Sequence, residues 1–241
     1  MFTEAPQNAA EPFHFFGYHK CYTFFMHVIP AVNAADRSEA ERQLQIVSGF
    51  AHWAHLDVVD GRFAPNVTWG SPEEFKKLKT ENLKLDMLNF EIHLMVRNPE
   101  EAAAAWVKIA DRIIVHVEAM EDRRAILKAA EGSGTEVMLA VEPKTPNAKL
   151  EPHLSSFKFF QVLAVPPGRA GQRFDPNAVD RIKFLRARAP DAIIEVDGGI
   201  NPDTAGICRD AGAHIFVASS YILGSSDPGA AYQELVRAVE R

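Results

Sequence analysis

Short apolar runs alternate with amphipathic segments along almost the whole chain. The runs are rich in aromatic and β-branched residues, which favours strands, and three of them are followed by Asp, Ser or Asn at the start of a helix-type pattern. The predicted strands are Tyr22–Ile29, Trp53–Val59, Asn89–Val96, Arg112–Glu118, Glu136–Val141, Phe157–Val165, Ala192–Asp197 and His214–Ala218. The predicted helices are three that begin near Asp36, Ser71 and Asn98, and four that span Glu121–Ala130, Pro176–Arg188, Pro202–Ala211 and Pro228–Arg241.

Eight strands without a hairpin signal indicate parallel strands joined by right-handed crossovers. The number favours an α/β protein of one domain, a closed (β/α)8 TIM barrel over residues 22–241, preceded by a short N-terminal extension over residues 1–21. An open doubly wound sheet is the alternative. Its dinucleotide-binding form is weakened because no Gly-x-Gly-x-x-Gly follows the first strand.

Composition narrows the function classes. The 241 residues carry a net charge of −6, which argues against a nucleic-acid-binding surface. No run approaches the ~18 apolar residues of a membrane span, and Met1–Lys20 does not resemble a signal peptide. The two cysteines, Cys21 and Cys208, lie far apart and are expected to be free thiols. A cytoplasmic location is therefore expected.

Candidate metal ligands lie at three predicted strand ends. His55 and Asp57 share one face of the second strand, because side chains alternate along a strand. His93 lies near the end of the third strand and Asp197 ends the seventh. Two imidazoles and two carboxylates suit one Zn²⁺, Fe²⁺, Mn²⁺ or Co²⁺ ion. A hydrogen-bonded structural histidine is the competing interpretation of any single member of this set.

Two further groups of residues lie at strand ends. His116 and Glu118 end the fourth strand on one face, and either orient a metal-binding imidazole or form an ordinary polar rim. Loops of small residues follow strands six, seven and eight, where barrels often bind phosphate through backbone N–H groups. The candidate phosphate-binding residues are Gly168, Arg169, Ala170, Gly171, Gly198, Gly199, Ser219 and Ser220.

These motifs together resemble the ribulose-phosphate 3-epimerase family. The matching segments, in order and each at a strand end, are HLDVVDGRFAPNVTWG, EIHLMV, VHVEA, PPGRAGQRF, IEVDGGI and AGA…VASSYI. The resemblance covers about residues 25–225. Apart from the final helix, only the first ~20 residues lie outside it.

The resemblance implies a (β/α)8 enzyme that interconverts D-ribulose 5-phosphate and D-xylulose 5-phosphate. It implies one divalent metal ion, Zn²⁺ or Fe²⁺ above all, held by His55, Asp57, His93 and Asp197. Asp57 and Asp197 would also be the acid/base pair, one on each face of the substrate. His93 and the phosphate-binding residues named above would contact the sugar phosphate. The family forms dimers or hexamers, so a homo-oligomer is expected.

The chain departs from the family pattern around the substrate but not among the metal ligands. Ala31 stands where the family has Ser, Ser219 where it has Gly, and Val59 and Leu163 where it has Met. The loop usually written Glu-Pro-Gly-Phe-Gly-Gly is Pro166-Pro167-Gly168-Arg169-Ala170-Gly171. An altered binding shell around retained chemistry indicates a divergent member, with another ketose phosphate such as D-allulose 6-phosphate as an alternative substrate.

Two other function classes compete with the epimerase. A sugar-phosphate-binding barrel without turnover has no need of two opposed proton carriers, which argues against it. A barrel lyase of the decarboxylase or Schiff-base aldolase type is a further alternative. The aldolase needs an inward Lys at a strand end, whereas Lys144 lies beyond Pro143.

Overall fold

The computed structural model describes residues 26–240 of the chain. Eight parallel strands pair in chain order, and the first also pairs with the last, so the sheet closes into a barrel. The strands are β1 His27–Val32, β2 Trp53–Val59, β3 Asn89–Met95, β4 Arg112–His116, β5 Glu136–Val141, β6 Phe159–Leu163, β7 Ile193–Asp197 and β8 Ile215–Ala218. The predicted TIM barrel is confirmed.

Helices connect the strands and cover the outside of the barrel. They are α1 Arg37–Val47, α2 Pro72–Glu81, α3 Leu83–Asp86, α4 Pro99–Trp106, α5 Arg123–Ala130, α6 Asn177–Arg188, α7 Pro202–Ala211, α8 Ser220–Leu223 and α9 Pro228–Val239. Two single 3₁₀ turns, Asn147–Lys149 and Glu151–His153, connect β5 to β6. Asp36 and Ser71 cap α1 and α2 with their side chains as predicted, whereas Asn98 makes no such bond at α4. None of the described helices is long and apolar enough to cross a membrane.

The prediction and the structure differ most at β1. The predicted strand stopped before Pro30, whereas β1 continues through Pro30 to Val32. Proline's fixed φ is compatible with a strand and costs only one backbone donor, so it does not end the pairing with β8. The predicted extension over residues 1–21, the first residues of the predicted strand and Cys21 lie outside the described residues. Cys208 is buried with a free thiol, as expected.

The interior of the barrel has an apolar part and a polar part. Inward side chains such as Ile114, Met138 and Val217 form an apolar cluster. Beside it lie buried polar and charged side chains from five strands, namely His55, Asp57, Glu91, His93, Arg112, His116, Gln161 and Glu195. Charged groups are rarely buried unless they are paired. These eight side chains therefore require ion pairs or hydrogen bonds inside the barrel.

Candidate active site

The register between β2 and β3 brings three of the predicted metal ligands together. His55 lies opposite Glu91 and Asp57 opposite His93, so all four side chains point inward at neighbouring levels. Asp57 Oδ1 lies 3.1 Å from His55 Nε2 and 3.1 Å from His93 Nδ1. The two ring nitrogens are 3.2 Å apart. Three potential ligand atoms thus converge on one point.

Asp197 completes the set from the other side of the barrel. Its Oδ2 lies 3.7 Å from His93 Nδ1. Ligand atoms of His55, Asp57, His93 and Asp197 all lie within 4.8 Å of one another. Asp57, His93 and Asp197 also line a cavity at the carboxyl ends of the strands, while His55 lies fully buried beneath them. The structure therefore brings together all four predicted ligands.

A buried carboxylate orients the His55 ring. His55 Nδ1 lies 2.8 Å from Glu91 Oε1, and the other Glu91 oxygen accepts a hydrogen bond of 2.7 Å from Arg112. The Glu91 carboxylate is an acceptor, so the hydrogen-bond network assigns the proton to Nδ1. The Nε2 lone pair is thereby directed at the predicted metal site.

A second chain of side chains orients the His93 ring. His93 Nε2 lies 2.8 Å from His116 Nε2, and His116 Nδ1 lies 3.2 Å from Glu118 Oε2. Glu118 accepts from His116, so His116 Nε2 is the acceptor for an N–H of His93. His93 Nδ1 then carries its lone pair toward Asp57. Of the two interpretations of His116 and Glu118, the orienting one agrees with these contacts.

This donor set fits a divalent cation. His55 Nε2, His93 Nδ1 and Asp57 Oδ1 present three lone pairs within 3.2 Å, which repel unless positive charge lies among them. A proton on an imidazole also supplies such a charge. Although burial opposes it, hydrogen bonds to Asp57 and Glu91 raise the pKa of His55 well above its usual value. Nitrogen and carboxylate ligands match Zn²⁺ and related ions.

The two carboxylates differ in protonation. Burial tends to raise the pKa of Asp57, but the hydrogen bond and positive charge of a protonated His55 outweigh burial and hold that pKa well below its usual range. Burial and the neighbouring charge of Asp57 raise the pKa of Asp197 to about 7, although the charge of His55 partly opposes this shift. Asp57 is therefore ionised at neutral pH, whereas the raised pKa of Asp197 lets that residue keep a proton.

A charged cluster closes the barrel beneath the four ligands. The Arg112 guanidinium lies 4.8 Å from the Trp53 ring centroid and 4.9 Å from that of Phe159, a sandwich favourable for cation–π interaction. Glu195 is fully buried near Arg112, and its Oε2 has no hydrogen-bond partner among the described residues. Burial and the charge of Glu91 raise the pKa of Glu195 well above its usual value.

The predicted phosphate-binding loops line the same cavity. All eight candidate residues contribute to its wall, namely Gly168, Arg169, Ala170, Gly171, Gly198, Gly199, Ser219 and Ser220. Gly199 has φ +66°, and a Cβ there would lie 2.5 Å from the backbone nitrogen of Phe174. Only glycine fits at that position without a backbone shift.

The positions that depart from the family pattern do not all face the cavity. Ala31 and Leu163 line it, as does Met95. Val59 does not, because it is buried against Phe63, Ala64 and Met95.

Several polar contacts of the site were not predicted from the sequence. Asn33 Nδ2 donates to Asp57 Oδ2 at 2.7 Å, and Thr68 Oγ1 donates to the Asp57 carbonyl at 2.7 Å. The contact of Glu91 with His55 likewise depends on the register of β2 against β3, which the sequence does not give. An Asn directly after a strand end is a weak signal, since it is also an ordinary turn residue.

A parallel barrel with its polar groups at the carboxyl ends of the strands defines the class of TIM-barrel enzymes. A solved structure, 3-hexulose-6-phosphate synthase from Salmonella typhimurium, superposes with a TM-score of 0.68 at 15% identity over 89% of this chain and 99% of that chain. At that identity the likeness concerns the fold alone.

Sequence comparison gives the family. The model of the ribulose-phosphate 3 epimerase family matches residues 27–223. Ribulose-phosphate 3-epimerase of Mycobacterium tuberculosis (strain ATCC 25618 / H37Rv) is 34% identical over 87% of this chain and 91% of its own length. The cytoplasmic isoform of Oryza sativa subsp. japonica is 32% identical over 84% of this chain and 88% of its own. The chain belongs to the ribulose-phosphate 3-epimerase family, and it is an isomerase that acts on carbohydrates.

Proposed function

We propose that this protein is a metal-dependent epimerase that inverts C3 of D-ribulose 5-phosphate to give D-xylulose 5-phosphate. The observation that carries the proposal is the convergence of His55, Asp57, His93 and Asp197 within 4.8 Å, in a chain of this family. The adjoining cavity wall of glycine-containing loops suits a phosphate group.

Asp57 and Asp197 are the proposed proton carriers. The C3 proton is acidic because C3 adjoins the C2 ketone. Asp57, whose pKa lies well below its usual range, removes this proton from one face, and an enediolate forms. Asp197, whose pKa of about 7 lets it carry a proton, protonates C3 from the opposite face and inverts the configuration. The reverse reaction exchanges these two roles.

His55, His93 and the two aspartates would hold one divalent cation, Zn²⁺ or Fe²⁺. When bound, the cation supplies positive charge that stabilises the negative charge developing on the substrate. Glu91 and the His116–Glu118 pair hold the two imidazoles in the tautomers that direct lone pairs at the ion.

Proton exchange at C3 tests the proposal. The purified chain, loaded with Zn²⁺ or Fe²⁺, is incubated in D₂O with D-ribulose 5-phosphate, and deuterium incorporation at C3 is followed by NMR. Exchange and formation of D-xylulose 5-phosphate are expected, and removal of the metal by a chelator should abolish both. D-allulose 6-phosphate serves as the six-carbon comparison.

Two variants separate the mechanism from the fold. Asp197→Asn should abolish turnover while the barrel stays folded, because the amide cannot exchange the proton. Asp191→Asn is the matched control, since Asp191 is exposed at the opposite end of the β7 region. Turnover by Asp197→Asn would contradict the two-carboxylate mechanism. Inactivity with pentulose and hexulose phosphates, despite one bound metal ion, would favour a sugar-phosphate-binding barrel instead.

The proposal extends to location and assembly. We infer a cytoplasmic homo-oligomer, supported for location by the name of the rice relative. Light scattering of the purified chain measures the number of subunits, and a monomer would contradict this inference.

A further inference from the structure

Asn33 contacts two parts of the site at once. It directly follows β1, and its Nδ2 donates to Asp57 Oδ2 at 2.7 Å and to the Gly168 carbonyl at 2.9 Å. An amide NH₂ group has two hydrogens, so both are used. Asp57 is a proposed proton carrier, and Gly168 belongs to the proposed phosphate-binding loop. One side chain therefore connects the reacting end of the cavity to its phosphate end.

The two oxygens of Asp57 have separate partners. Oδ1 faces His55 and His93 at 3.1 Å each, whereas Oδ2 faces Asn33. Rotation about the terminal bond of an aspartate is only loosely restricted by its own torsion. The Asn33 contact therefore fixes the orientation of the carboxylate without occupying the oxygen that lies among the metal ligands.

The other end of the Asn33 contact is also fixed. Asn66 Nδ2 donates to the same Gly168 carbonyl at 2.9 Å, so both lone pairs of that oxygen are used. Gly168 is buried with φ +110°, and a Cβ would collide with Asn66 Oδ1. Gln172 Nε2 ties the rest of the loop through the carbonyls of Pro166 and Arg169. A shift of this loop therefore moves the acceptor of Asn33.

We propose that Asn33 is a positioning residue that transmits occupation of the phosphate site to the orientation of Asp57. The inference rests on the proposed function. Binding energy from a non-reacting group raises the rate of the chemical step only when it is used at the reacting centre. The Gly168–Asn33–Asp57 connection gives the phosphate such a route. Loss of Asn33 should leave the phosphate bound but should disconnect it from the proton transfer.

The experiment divides the substrate into two pieces. D-ribulose, which lacks the phosphate, is incubated in D₂O with the metal-loaded full chain, with and without phosphite dianion as the separate anionic piece. The ratio of the two C3 exchange rates is the activation factor. The wild type is expected to be activated by phosphite. Asn33→Ala should retain one metal ion per chain. Its activation factor should be at least about tenfold smaller than that of the wild type, and a 1 Å misplacement of a reacting group can lower a rate by ~100-fold.

Whole-substrate kinetics give the second readout. With D-ribulose 5-phosphate, Asn33→Ala should lower kcat about as strongly as it lowers the activation factor, with a smaller change in KM. Asn66→Ala is the matched control, because Asn66 donates to the same carbonyl and Asp57 is not its partner in any hydrogen bond of the structure. It should raise KM more than it lowers kcat and should keep the larger part of the activation factor. Asn33→Asp keeps the size of Asn33 but cannot donate, and should behave like Asn33→Ala.

The possible results are distinct. The inference would be overturned if either Asn33 variant, with one metal ion bound, kept the activation factor of the wild type. It would also be overturned if Asn33→Ala and Asn66→Ala lost the activation factor to the same extent. Exchange by the wild type without any response to phosphite would also overturn it. If the wild type fails to exchange the C3 proton of D-ribulose 5-phosphate itself, the proposed function is wrong, and the inference falls with it.

Discussion

Replacement of Glu91 by glutamine tests whether the carboxylate beneath His55 prepares that residue for metal binding. Glu91 is fully buried, with His55 on one oxygen at 2.8 Å and Arg112 on the other at 2.7 Å. Glutamine has the same shape but carries a single acceptor oxygen. If that oxygen faces His55, the amide NH₂ meets the Arg112 donor. If the NH₂ faces His55, the ring must move its proton to Nε2 and lose the ligand lone pair.

The magnitude follows from these two orientations. A hydrogen bond to a charged group contributes about 1.5–3 kcal/mol and a neutral one about 0.5–1.5 kcal/mol. The free energy lost when the charged hydrogen bond becomes a neutral one is therefore about 1–1.5 kcal/mol. This is a lower bound on the cost of the substitution, because the contact with either Arg112 or His55 is also lost. Removal of an orienting partner typically lowers metal affinity about 10–100-fold. Glu91→Gln should therefore bind Zn²⁺ about 10–100 times more weakly than the wild type.

Competition with a chromogenic chelator measures this affinity at fixed pH. Glu136→Gln is the matched control, because Glu136 also contacts Arg112, at 2.9 Å, but its side chain is 32% exposed and His55 is not its partner in any hydrogen bond of the structure. It should bind Zn²⁺ within about threefold of the wild type, since pairs at partly exposed sites are worth little. Affinity within twofold of the wild type in Glu91→Gln, or an equal loss in the control, would refute the reasoning.

Two further predictions concern stability and phosphate binding. The folded chain keeps the Glu195 proton above pH 4.5, whereas the unfolded chain loses it. The free energy of unfolding of the wild type, relative to that of Glu195→Gln, should therefore fall by up to ~1.4 kcal/mol per pH unit as the pH rises. Urea unfolding of both proteins at pH 5 and pH 8 measures this, and a difference that does not change with pH would contradict it. Gly199→Ala should raise KM for the sugar phosphate about tenfold or more, since the new Cβ meets the Phe174 backbone. Gly132→Ala is the control, because Gly132 has a similar φ of +69° but nothing lies within 4 Å of the new Cβ, and it should cost only ~1–2 kcal/mol of stability. Equal changes of KM in the two variants would contradict the prediction.

The barrel was predictable because it depends on local patterns. Each strand is a short apolar run, and most strand ends fall within two residues of their predicted positions. The exception is β1, where Pro30 predicts the end of a strand although its backbone suits one. The convergence of His55, Asp57, His93 and Asp197 was predictable for a related reason. Alternation fixes which side chains point inward, and a parallel barrel brings the carboxyl ends of its strands to one rim.

The supporting contacts depend on information that one strand does not contain. Glu91 meets Arg112 because β3 and β4 pair in one particular register, and a one-residue slip would turn either side chain outward. Asn33 meets Gly168, 135 positions further along the chain, through a loop whose course no periodicity describes. Val59 has an inward position by alternation, but Phe63 and Ala64 in the following loop cover it.

His55 has a further consequence for the order in which the site is filled. It is fully buried, with Glu91 and Arg112 below it and Asp57 and His93 above it. An ion that reaches Nε2 from the cavity passes the two aspartates at the barrel mouth, along the route that a sugar phosphate would also take. On the proposed function, ion and substrate would therefore enter by the same route, and a bound substrate would cover the ion. Turnover itself would then protect the enzyme from losing its metal.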